Sequence, residues 1–61
     1  MLGSSDLKLI ESIIKREQRV IDTYSRYISQ IKDPQTQIDL QKLMSNHINQ
    51  KKTLLSLMEE Q

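Results

Sequence analysis

The chain has no cysteine, tryptophan or phenylalanine, and only one glycine and one proline among its 61 residues. Without cysteine there is no disulfide to staple a small domain, and no ligand cluster with zinc-finger spacing. Two tyrosines are the whole aromatic content and the net charge is +1. That is too little aromatic surface and too little charge for a nucleic-acid partner. No segment approaches the roughly 20 apolar residues that a membrane span requires. The first residues, Met1 to Asp6, also lack the apolar core of a signal peptide. No nucleic-acid partner, no membrane partner and a cytoplasmic location are therefore expected. Strand alternation, internal repeats and low-complexity tracts are missing too.

What is present is a helical pattern. Leu7, Ile10, Ile14, Glu17, Ile21, Tyr24, Ile28 and Ile31 follow one another at spacings of three and four, the seam of a packed helix of coiled-coil type. Glu17 stands in the middle of this apolar line. A carboxylate there must find a partner, bind a cation or be neutralised, because an unpaired buried charge costs several kcal/mol. The second half repeats the spacing with Leu40, Leu43, His47, Gln50, Leu54 and Leu57, while Met44, Ile48, Leu55 and Met58 widen the stripe. The only histidine thus falls near the middle of the second arc.

Asp33-Pro34 is the one clear break. Asp suits an N-cap and Pro the first helical position, so a second helix starts there. The pattern predicts one domain, 1–61: helix one over about 6–32, a turn at 33–34 and helix two over about 34–59. Ser4 or Ser5 would cap helix one. So short a connection makes the helices antiparallel. Folding the chain about residue 33 brings Glu17 to the level of about residue 49, within one turn of His47, Gln50 and Lys51. Glu17, Tyr24, His47, Gln50 and Lys51 form the expected polar core network. Lys51 is a candidate internal cation for Glu17. On the outer face, Lys8, Lys15, Arg19 and Arg26 read as a solvated stripe, with Glu11-Lys15 and Asp22-Arg26 at the favourable i,i+4 spacing.

Two helices cannot cover stripes this wide, since Ile13, Val20 and Tyr27 flank the first seam and four further apolar residues flank the second. A second copy is the simplest cover. The expected fold class is all-α, an antiparallel two-helix hairpin dimerising into a four-helix bundle.

Glu17 followed seven residues later by Tyr24 resembles the first-helix signature of ferritin-like proteins, the group of rubrerythrins and bacterioferritins. The resemblance implies a ferritin-like bundle in which the Glu ligates iron and the Tyr hydrogen-bonds behind it. The second helix of that family supplies Glu-x-x-His, and here Met44-Ser45-Asn46-His47 keeps the His and replaces the Glu. Ile31-Lys32-Asp33-Pro34-Gln35 and the polar second helix are also similar to short spore coat protein F-type chains, which implies the spore coat as the alternative location. A di-iron centre needs bridging carboxylates, and two copies would supply only two Glu17 and two His47. The expectation is therefore a non-enzymatic structural or protein-interaction module, without a cofactor, carrying a degenerate ferritin-like site. Two alternatives stand beside it. One is a metal-binding protein holding Zn or Fe between Glu17 and His47 of two copies. The other is a regulatory hairpin that takes helices of a partner protein.

Overall fold

The computed structural model describes residues 2–59. Met1, Glu60 and Gln61 of the expected 1–61 hairpin lie outside the described residues. Two α-helices, α1 (Ser4–Ile28) and α2 (Pro34–Glu59), pack side by side, and there is no strand among the described residues. Among the described residues no helix is long and apolar enough to cross a membrane.

Helix α1 starts earlier than its serines suggest. Gly3 occupies the N-cap position. The carboxylate of Asp6, in the first turn, accepts a hydrogen bond from the Gly3 N–H at 3.4 Å, and the Gly3 carbonyl accepts the Leu7 N–H at 3.1 Å. An acidic residue at the third helical position reaching back in this way makes a serine cap unnecessary.

Helix α1 also ends at Ile28, not near Lys32. A proline restricts the backbone of the residue before it, and two helices need a few residues to reverse direction. Residues 29–33 supply them. The Gln30 and Ile31 N–H groups both donate to the Tyr27 carbonyl, at 2.9 and 3.1 Å. From α2, the Gln37 side-chain amide donates to the carbonyls of Ile28 at 3.4 Å and Ile31 at 2.5 Å. These bonds satisfy carbonyls that a helix C-terminus would otherwise leave open. At the other end of the connection, Asp33 caps α2. Its carboxylate accepts from the Thr36 N–H at 2.9 Å and the Thr36 hydroxyl at 2.6 Å, and Pro34 follows as the first helical residue.

The α1 seam turns inward along its whole length: Leu7 through Tyr24 and Ile31 are half-buried and Ile28 is buried. The inward line of α2 is not the leucine line. Gln37, Leu40, Met44, His47, Lys51, Leu54 and Met58, again spaced three and four, are half-buried, whereas Leu43 and Gln50 are exposed. The two lines share Leu40, His47 and Leu54, so a rotation of about half a residue, near 50° on the wheel, separates them. Among the described residues only Ile28 is buried, and it keeps 9% of its surface exposed.

Candidate functional site

The site lies midway along the hairpin. Glu17 projects from α1 and His47 from α2, and the Glu17 Oε2 to His47 Nδ1 distance is 2.7 Å. The Glu17 side chain is 14% exposed and that of His47 29%, so the pair is shielded but not sealed. With Glu17 a carboxylate, a contact this short places a proton on Nδ1, in the neutral tautomer and the imidazolium alike. Nε2 is then the nitrogen left for other partners. The Tyr24 ring, seven residues along the same seam, lies against the His47 ring with centroids 5.6 Å apart and planes tilted by 33°. Contact between the tilted rings limits how far the imidazole can turn.

The other members of the expected network are arranged differently. The Lys51 ammonium donates to the Gln18 side-chain carbonyl and not to Glu17. Gln18 in turn donates to Asp22 at 2.8 Å. Asp22, spaced to pair with Arg26, is taken up by this bond. Gln18 sits about 100° round the helix from Glu17, and the arc from Glu17 to Gln18 spans the seam. Lys51 therefore approaches α1 on the far side of the seam from the Glu17–His47 pair. Gln50 is exposed and lines a groove instead. Gln18 was the residue missed from sequence. Its i,i+4 spacing to Asp22 was the available signal, but glutamine at such a position is common on solvated faces.

Two open, largely apolar grooves flank the pair. One, of about 430 Å3, is bounded by Arg16, Arg19, Val20, Thr23, the two tyrosines and Leu40. The other, of about 320 Å3, is lined by Ile13, Glu17, Gln50, Thr53 and Leu54. Tyr24 thus borders one groove and Glu17 the other.

As metal ligands, Glu17 and His47 are two donors, and their short bond engages one with the other. Among the described residues, no group of three or more His, Cys, Asp or Glu side chains is placed to hold a metal. Met44, half-buried on the inward line one turn from His47, adds a thioether and no carboxylate to this level of the hairpin. One copy therefore has a hydrogen-bonded acid–imidazole pair with an aromatic backstop, and not a complete coordination sphere. No protein-family model, curated protein or solved structure matches the chain.

Proposed function

We propose that the chain is a small non-enzymatic structural and interaction module that works as a homodimer, two hairpins closing into a four-helix bundle with a degenerate ferritin-like site at its middle. The observation that carries this reading is surface. A compact monomer of 7.2 kDa exposes about 4,100 Å2, whereas this chain exposes 4825 Å2. The excess is close to the roughly 800 Å2 that each partner contributes to a standard interface. The radius of gyration, 14.3 Å, also exceeds the ~10.5 Å of a compact chain of this length and is near the ~13.7 Å of one twice as long. Sedimentation equilibrium is expected to return twice the chain mass at micromolar concentration. A stable folded species of one chain mass would end this reading.

The Glu17–His47 bond favours one second reading, a metal held between two copies. A carboxylate bound to one imidazole nitrogen orients the ring and raises the basicity of the other, an arrangement common behind metal ligands. Two copies would bring two such imidazoles. Met44→Glu would restore the Glu-x-x-His pattern. It is expected to destabilise the metal-free protein by adding carboxylates to a dimer core, and Zn2+, Co2+ or Fe2+ should recover part of the loss. A melting temperature for this variant that ignores all three ions would count against both the metal reading and the ferritin-like register. The cytoplasm and the spore coat are both compatible locations for such a module.

A further inference from the structure

The hairpin has two unlike sides. One carries a second line on α1, formed by Leu9, Ile13, Val20 and Tyr27, set roughly 80° round the helix from the seam. Leu9 is 64% exposed, Tyr27 57% and Ile13 45%. Both grooves open along this line, and across them α2 contributes Leu40 to the first and Leu54 to the second. Leu43, seven residues before the groove-lining Gln50, shares its face and is 46% exposed. The other side of α1 is polar: Glu11 lies there beside the Lys51–Gln18–Asp22 chain of hydrogen bonds.

We propose that the grooved side, and not the side of Lys51, is the surface on which a second copy of this chain docks. The proposal rests on the homodimer reading and assigns it a face. The surface carries both halves of a self-complementary fit, exposed apolar side chains such as Leu9 and Ile13 together with grooves wide enough for side chains. An isologous two-fold contact requires both on one patch. Its extent suits the task, since the hairpin spans 46 by 15 Å between Cα atoms in its two longer directions. That is on the scale of one partner's share of a standard interface. Burying the opposite side would strip water from Glu11, Asp22 and Lys51, whereas the exposed Arg16 and Arg19 at the edge of the first groove have long stems that let their guanidinium groups stay in water. Docking on the grooved side also closes both grooves beside the Glu17–His47 pair.

The test compares two single variants by sedimentation equilibrium. Val20→Glu places a charge on the grooved side and is expected to weaken dimerisation at least tenfold. Leu55→Glu, on the flank of α2 away from the grooves, is expected to leave it within about twofold. A dimer that survives Val20→Glu but is lost with Leu55→Glu overturns the assigned face while leaving the homodimer reading intact. A wild-type chain that stays monomeric overturns both. The chain has no native cysteine, so Val20→Cys and Leu55→Cys give a second readout that does not depend on tolerating a charge. In the dimeric protein, alkylation of the Val20→Cys thiol should be slowed at least tenfold relative to its rate in urea, while that of Leu55→Cys is slowed only about twofold. Equal protection of the two, or protection of Leu55→Cys alone, overturns the assignment.

Discussion

At the scale of single residues, the chain spends its two seam defects on each other. Glu17 interrupts one apolar line and His47 the other, and the 2.7 Å bond between them answers the desolvation of both. Glu17→Gln keeps the shape and an acceptor but removes the charge that strengthens the bond. Because the pair is partly exposed, the expected loss is about 1–3 kcal/mol in urea unfolding at fixed protein concentration. A variant that melts higher than the wild type at pH 7 would mean that Glu17 is merely tolerated. Both defects could be seen in sequence, because a lone polar residue in an apolar period stands out. The partner of Lys51 could not. Choosing between Glu17 and Gln18 requires knowing on which side of the seam a long, flexible side chain passes, and adjacent residues in a helix differ there by about 100°.

At the scale of elements, the start of α2 was plain from Asp33-Pro34, and the capping bonds to Thr36 explain why. Those two bonds hold the Asp33 carboxyl below its ordinary value, the Thr36 hydroxyl contributing most and the Thr36 N–H next. A carboxyl whose folded value is depressed stabilises the fold above its unfolded value of about 3.8, and that contribution fades as pH falls through the lower folded value. Asp33→Ala should therefore melt below the wild type at pH 7, with the gap narrowing under acid conditions below pH ~4. A gap of constant size from pH 7 to pH 2 would assign the loss to something other than this carboxylate. The inward line of α2 was not legible. Its leucine line and its Gln37–Met44–Lys51–Met58 line have the same period and share three residues. Hydropathy favours the leucines, but in the homodimer reading α2 needs apolar residues toward two partners, and periodicity alone does not say which partner comes from the same chain. The C-terminus of α1 was overrun for a related reason. Ser29 to Lys32 can all be helical, but the chain must turn back before Pro34, and the Gln37 amide from the other helix takes up the carbonyls this leaves open.

At the scale of the molecule, a hairpin with one buried residue among those described has almost no interior of its own. In the homodimer reading, folding and association are then one equilibrium. Melting temperature should rise by several degrees for each tenfold increase in protein concentration, as read by helical circular dichroism. A melting curve that superimposes over a hundredfold range of concentration would require a source of stability within the single hairpin.

The five-residue connection, pinned by Gln37 and capped by Asp33, has a consequence in time. Every contact between α1 and α2 grows outward from this joint, so the hairpin has local topology and can zip within microseconds to milliseconds. In the homodimer reading, the slow event is then encounter between two chains. Refolding from urea should be second order at low micromolar concentration, with a rate proportional to protein concentration. Joining two copies head to tail through a flexible linker should convert it to a fast first-order process. If the tandem chain refolded no faster than the separate copies, the bottleneck would lie in closing the turn itself.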